Sequence, residues 1–256
     1  MESEILCFSP TGGGKKVAEA IRRGLENIDG GNVVPCIFAV PVYGGHMPEL
    51  AKKRFKDVNS RDKRPAVLVA VYGNRAFENA LADLDAFVRG RGFNPVAAGA
   101  FVCEHSYSTK ETPIASGRPD ADDLKAAEEF GRQVGMKLAF GDLSSVDAAG
   151  LEDEPSPEDS VRRFSAFVRE YREMQASRPQ KYVPEYDVEL CSGCGACIEA
   201  CPAGAVRDDF SIDDSLCIDC CACVKICPAE ARSFKSPFAV PLAENFSVRK
   251  SPRWIL

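Results

Sequence analysis

Nine of the twelve cysteines in this 256-residue chain lie between Cys191 and Cys227, while the first 190 residues hold only Cys7, Cys36 and Cys103. Such crowding needs a chemical reason, and it limits what this stretch can fold around. The start, Met1-Glu2-Ser3-Glu4, is acidic and lacks the basic region of a secretory signal, so the expected setting is the cytoplasm. Thiols there stay reduced, and regularly spaced cysteines are then metal ligands rather than disulfide partners. The spacing is Cys191-x2-Cys194-x2-Cys197-x3-Cys201-Pro202, and it recurs as Cys217-x2-Cys220-x2-Cys223-x3-Cys227-Pro228.

This arrangement resembles that of bacterial ferredoxins, in which three closely spaced thiolates hold one cubane and the fourth cysteine of the run reaches across to the other cluster. By that rule Cys191, Cys194, Cys197 and Cys227 hold one 4Fe-4S cluster, and Cys217, Cys220, Cys223 and Cys201 hold the second. The tight two-residue loops let successive sulfurs meet three corners of one cube. Gly193 and Gly195 keep the first loop uncrowded, and Pro202 and Pro228 turn the chain away after the fourth ligand. Zinc is the competing reading, but it wants four ligands in two Cys-x2-Cys pairs, whereas eight ligands here fall into two interlocked sets. Cys221, left over inside the second loop, reads as a small packed residue. Cys7, Cys36 and Cys103 lie in apolar, strand-like surroundings and read as inert core thiols.

Residues 1–145 alternate strand-like and helix-like stretches, the pattern of an α/β sheet. Strands are expected at Glu4–Phe8, Val33–Val40, Pro65–Tyr72 and Asn94–Cys103, and helices at Gly13–Asn27, Arg75–Arg89 and Asp120–Phe140. An acidic, proline-broken run, Glu152 to Asp159, reads as the solvated start of a helix over Ser160–Gln175. The expected domains are therefore 1–145, a helical linker at 146–180, the cysteine-rich domain at 181–236 and a tail at 237–256. With 45% hydrophobic and 27% charged residues the composition is that of a folded soluble chain, and no apolar run approaches the ~20 residues of a membrane helix. The net charge of -6 disfavours nucleic acid as a partner.

The first strand ends in Ser9-Pro10-Thr11-Gly12-Gly13-Gly14-Lys15, and a helix follows directly. A glycine-rich loop feeding a helix N-terminus is a ready anion site, because unpaired N–H groups and the positive dipole end face the ligand. The pattern is not G-x4-G-K-[ST]. It looks like the phosphate loop of flavodoxins, which hold FMN at the switch point of a doubly wound sheet. Two later loops, Pro41-Val42-Tyr43-Gly44-Gly45-His46-Met47-Pro48 and Tyr72-Gly73-Asn74-Arg75, follow strands where flavodoxins flank the flavin ring. Over nearly its full length the chain resembles flavodoxin-ferredoxin fusion proteins. The resemblance implies a flavodoxin-like doubly wound parallel sheet, FMN on these three loops with Tyr43 and Tyr72 as stacking candidates, and a small α+β domain holding two 4Fe-4S clusters.

One departure from the flavodoxin pattern is expected to shape the fold. Only Ile28 to Val40 separates the first helix from the Tyr43 loop, too little for strand, helix and strand at mean lengths of ~5 and ~11 residues. The usual second strand and helix are therefore expected to be missing, leaving the first strand at an edge that the C-terminal tail or a partner chain would cover. His46 and His105, the only histidines, have no further histidine for a metal site, and Trp254 is expected to anchor the tail. The expected function is low-potential electron transfer between the clusters, FMN and redox partner proteins, in an anaerobic setting. An alternative is a flavoenzyme whose substrate pocket is lined by the His105–Pro119 loop. A third reading leaves the flavodoxin-like part without flavin, as a docking domain.

Overall fold

The computed structural model describes residues 3–28 and 33–256 and divides into two compact units. The first comprises the described residues up to Glu104, together with Gly117–Pro155 and Arg249–Leu256; the second comprises His105–Ser116 and Ser156–Val248.

In chain order the first unit holds β1 (Glu4–Cys7), α1 (Gly13–Glu26), β2 (Cys36–Pro41), α2 (Glu49–Arg54), β3 (Pro65–Tyr72), α3 (Ala80–Arg89), β4 (Asn94–Val102) and α4 (Ala121–Ala139). The second unit holds α5 (Glu158–Ser177), β5 (Glu185–Tyr186), α6 (Ala196–Glu199), α7 (Ala222–Lys225), β6 (Arg232–Ser233) and α8 (Ala239–Asn245). The chain then returns to the first unit as β7 (Arg253–Ile255).

Strands β1, β2, β3 and β4 lie side by side in that order, all parallel, and β7 adds antiparallel to β4 with Gly99 opposite Trp254. The alternation of side chains along each strand fills both faces. Ile37, Val67, Val69 and Phe101 point to one face, where Val17 and Ile21 of α1 and Phe130 and Val134 of α4 cover them. Phe38 points the other way and meets Phe93 and Phe55 edge-on at 5.0 and 6.1 Å. Burial on both faces explains why β3 reads as an unbroken apolar run, as parallel strands do. Helices α1 and α4 approach backbone to backbone: a Cβ on Gly24 would lie 1.9 Å from the Glu128 carbonyl oxygen, and one on Gly131 would lie 2.0 Å from that of Ile21.

This is the doubly wound flavodoxin-like order with its second strand left out, and among the described residues no strand lies beyond β1, as expected. Residues 29–32, inside the stretch whose shortness predicts that loss, lie outside the described residues. Of the two covers expected for the β1 edge, the tail is corrected: it pairs with the opposite edge, on β4. There the small side chains of Ala98, Gly99 and Ala100 admit Trp254, whose ring stacks on Phe101 at 6.4 Å and whose Nε1 donates to Gln133 Oε1 at 3.0 Å. The tryptophan does anchor the tail. Its segment belongs with the sheet, however, not with a separate C-terminal piece.

Several boundaries move for identifiable reasons. The second strand starts at Cys36 rather than Val33, after Pro35. Helix α3 starts at Ala80 rather than Arg75, because Phe77 and Glu78 donate their backbone N–H groups to the Asp153 carboxylate instead of entering a helix. That bond also shows that part of the acidic run packs with the sheet instead of being solvated. Helix α5 is not a connector either: Phe164, Phe167 and Tyr171 form an aromatic cluster with Phe238, and Phe164 also meets Phe246. Helix α2 and helix α8 are further elements absent from the sequence-based expectation. The thiols of Cys7, Cys36 and Cys103 behave as core groups, since burial pushes them up to about 11, 12 and 12 respectively.

Candidate functional site

Each cysteine motif folds in the same way. The residue directly after the second cysteine is in left-handed conformation, and a single helical turn carrying the third cysteine follows. In the first motif that residue is Gly195 (φ 75°) before α6; in the second it is Cys221 (φ 56°) before α7. The equivalence explains the extra cysteine: Cys221 stands where the first motif has glycine, with its side chain buried at 2% exposure. Its Sγ lies 3.7 Å from the Asp219 carbonyl oxygen, and burial pushes the thiol up.

Two open hollows result. One is lined by Cys191, Cys194, Cys197 and Cys227, with Tyr186 and Phe210. The other is lined by Cys201, Cys217, Cys220 and Cys223, with Cys221, Val206 and Ile212. Each cavity thus gathers three cysteines of one motif and the fourth of the other. Among the described residues no three His, Cys, Asp or Glu side chains converge on a single metal ion. Sulfurs spread around a cavity suit the corners of a cluster better than the one point that zinc requires.

Backbone amides aim at the sulfurs in both motifs. Ala205 N donates to Cys201 Sγ at 3.2 Å and Ala231 N to Cys227 Sγ at 3.3 Å. Ala196 N likewise donates to Cys194 and Ala222 N to Cys220. Such bonds stabilise thiolate, and they are a lever on cluster potential. The settings differ nonetheless. Cys194 is exposed, and the Ala196 amide followed by Ser192 holds its thiol below the ordinary value. Burial instead pushes Cys217, Cys220 and Cys223 up to about 11. Asp219, where the first motif has Gly193, is half-buried beside Cys217, and desolvation raises its carboxyl.

The three loops expected to hold FMN lie together at the C-terminal ends of β1, β2 and β3, the end where open parallel sheets bind ligands. In the first, Ser9 O accepts from Gly12 N at 3.1 Å and Ser9 Oγ from Lys15 N at 3.2 Å, which shapes the turn into α1. Gly12 has open space beside it, while Thr11 and Lys15 are exposed. The first-turn N–H groups of Gly13 and Gly14 have no partner within the helix. This loop fits a phosphate. Gly13 and Gly14 have a packing role as well, for a Cβ there would press on Cys103 and on Val71 at 3.1 Å.

The second loop is pinned by mutual backbone bonds between Tyr43 and His46, and His46 Nδ1 lies 2.8 Å from Asp83 Oδ2. Pro41, Val42 and Tyr43 are half-buried, Gly44 is exposed and Gly45 is buried. The third loop faces inward. Tyr72 is buried with its ring 5.7 Å from Phe77. Gly73 is half-buried, Asn74 Oδ1 accepts from Lys250 N at 3.2 Å, and Arg75 O accepts from Lys250 Nζ at 2.6 Å.

Two arrangements escaped the sequence reading. Arg118 and Asp123 form a buried pair, joined by Arg249, whose Nη2 lies 3.1 Å from Asp123 Oδ1. A charged pair five residues apart carried no signal that both ends would be buried. The His105–Pro119 loop, expected to line a substrate pocket, is split: His105–Ser116 packs with the cysteine-rich unit. There Tyr107 lies between His105 and Phe234, at 4.7 and 5.3 Å.

Residues 184–207 and 210–233 each match the 4Fe-4S binding domain family. The C-terminal part of the chain is a 4Fe-4S ferredoxin domain. A solved flavodoxin from the domain Archaea is similar at 15% identity with a TM-score of 0.39, over 54% of this chain and 99% of that one. No curated protein matches the chain. Among the described residues no helix is long and apolar enough to cross a membrane.

Proposed function

We propose that this chain is a low-potential electron-transfer protein carrying two 4Fe-4S clusters and one FMN, which exchanges electrons with redox partner proteins in the cytoplasm of a cell living without oxygen. The observation that carries the reading is the crossed lining of the two cavities, Cys191, Cys194, Cys197 and Cys227 around one and Cys201, Cys217, Cys220 and Cys223 around the other. When bound, the clusters supply one-electron steps and the flavin one- or two-electron steps, so pairs and single electrons become interchangeable.

The chain's own residues supply the rest. Eight thiolates hold the clusters, and the amides of Ala196, Ala205, Ala222 and Ala231 stabilise the charge on sulfur. Ser9, Thr11, Gly12, Gly13, Gly14 and Lys15 hold the flavin phosphate. Pro41, Val42, Tyr43, Gly44 and Gly45 flank one side of its ring, and Gly73, Asn74 and Arg75 border the other through backbone. Tyr72 supports that loop from within the core. No catalytic residue is assigned, because electron transfer asks only that the chain hold, space and desolvate the centres.

The test is the content of iron, acid-labile sulfide and released flavin per chain, on protein purified without oxygen. About eight irons, eight sulfides and one FMN are expected. About four irons or fewer would overturn the two-cluster reading. Full iron with no flavin, even after FMN is added, would reduce the sheet unit to a docking domain.

A further inference from the structure

The loop that follows β3 adopts a shape that local preference does not supply. Asn74 and Glu78 both sit in the left-handed region, at φ 70° and 44°, where residues other than glycine are uncommon. Segments distant in sequence fix this shape from two sides. On one side the Asp153 carboxylate accepts from Phe77 N at 2.7 Å and from Glu78 N at 3.0 Å. On the other stands Lys250, which is only 4% exposed. Its backbone N donates to Asn74 Oδ1 at 3.2 Å, and its ammonium donates to Arg75 O at 2.6 Å and to Glu154 O at 2.7 Å. Ser251 N donates to Glu154 Oε2 at 2.9 Å, so the acidic run and the tail are bound to each other as well as to the loop. All of these residues belong to the sheet unit.

An ammonium taken out of water is costly unless other oxygens replace that water. One of the two carbonyls that do so here belongs to the loop itself, so the position of the loop and the solvation of the charge are one arrangement. Lys250 is anchored independently of the loop, because the following strand β7 pairs with β4 and Trp254 stacks on Phe101. The third loop in turn meets the second: Asn79 N donates to Gly45 O at 2.9 Å, and a Cβ on Gly45 would clash with the Glu78 carboxylate. We propose that Lys250 and Asp153 are positioning residues for the flavin, which hold the third loop, and through it Gly45 of the second, in the conformation that receives FMN. A loop already held in its bound shape spares the ligand the cost of ordering it. The inference rests on the flavin reading above.

The experiment is titration of the flavin-free full chain with FMN, read as quenching of flavin fluorescence, beside hydrogen exchange of the same chain before FMN is added. Lys250→Met, which keeps the stem and removes the charge, should weaken FMN binding about tenfold, the factor expected when one chain in ten keeps the loop in place. It should also cost amide protection at Phe77, Glu78 and Asn79. Asp153→Asn, which acts from the other side and touches none of the tail's bonds, should move both readouts in the same direction by less. Arg249→Gln is the control: Arg249 lies beside Lys250 but reaches Asp120 at the start of α4 rather than the loop, so FMN affinity should hold. Trp254 emission reports in each variant whether the tail is seated, and where Lys250→Met loses it, Asp153→Asn carries the test. Affinity equal to the parent's in both loop variants, a loss in Arg249→Gln as large as in Lys250→Met, or weaker binding with loop protection unchanged would overturn the proposal. A parent chain that takes up no FMN would instead strike the flavin reading itself, so the two failures are distinguishable.

Discussion

In the sheet unit, β2, β3 and β4 are buried over nearly their whole length, and α1 and α4 touch backbone to backbone at Gly24 and Gly131. In the ferredoxin domain, regular structure is limited to two strands of two residues and two helices of four, and the buried apolar residues are small or thiol side chains, with Cys197, Val206 and Cys223 packed as one cluster and Ala205, Cys220, Cys221, Ala222 and Ala231 around them. The first region carries a core of its own, whereas the second is too thin to overcome its chain entropy without a further bond. Its fold is expected to be ligation energy in large part, while the fold of the sheet unit is hydrophobic burial.

The sharpest way to break that contrast is to remove the metal. Chelation of iron without oxygen, or Cys194→Ala and Cys220→Ala in turn, should cost the amide protection of residues 184–233 in hydrogen exchange while the protection of β2, β3 and β4 persists. Each single variant should lose one cluster first. Unchanged protection across the ferredoxin domain after iron loss would mean that the stretch holds itself together.

The converse experiment strikes the sheet. Gly24→Val places side-chain atoms where even a Cβ lies 1.9 Å from backbone, so α1 must move off α4, at a cost of about 3 kcal/mol. Trp254, the only tryptophan, sits in β7 and its fluorescence reports this unit alone. Its unfolding midpoint should fall while iron content holds. A midpoint within error of the parent would show that the helix contact is not where the unit's stability lies.

How far each region was legible follows from the same contrast. The unbroken apolar runs from Cys36 to Val40 and from Pro65 to Tyr72 report burial directly, so the strands could be read, and their order followed from the resemblance to flavodoxins. The proposed cluster ligands could be named from the sequence because ligation fixes spacing along the chain. What could not be read depends on contacts distant in sequence. The tail joins β4 rather than β1, Asp153 caps the Phe77 turn, and Tyr107 packs on Phe234, more than a hundred residues further on. Tyr72 could not be placed from sequence because a tyrosine at a strand end is equally at home over a ligand or in a core; its ring packs on Phe77.

A smaller effect separates the two cysteine motifs. Gly195 and Cys221 occupy equivalent left-handed positions, where a side chain costs about 1 kcal/mol. Gly195→Ala should therefore destabilise the ferredoxin domain by about 1 kcal/mol, whereas Cys221→Gly, which relieves the same strain but empties a buried site, should change it by less. Both are read as the denaturant midpoint for cluster bleaching at 400 nm or thereabouts. Loss of iron in Cys221→Gly would contradict its placement as a packed, non-ligating residue.

The smallest expected effect concerns acid, which reaches the two regions by different routes. Asp120 caps α4, and its carboxyl is held well below the usual carboxylate range, first by the Arg249 guanidinium and then by the Asp123 amide. Arg249 Nη1 lies 2.7 Å from Asp120 Oδ2, tying the tail to the helix start. Because the folded value lies below the unfolded one of about 3.9, this contribution is complete above that pH and disappears as pH falls through the folded value. Replacing Arg249 with Gln should therefore lower the Trp254 midpoint slightly at pH 7 and make it less sensitive to a drop to pH 3. The ferredoxin domain loses its ligands to protons in the same range, so only the tryptophan signal bears on the sheet. An identical pH dependence in parent and Arg249→Gln would show that the pair is too well solvated to matter, and that the strand pairing of β7 with β4 alone holds the tail.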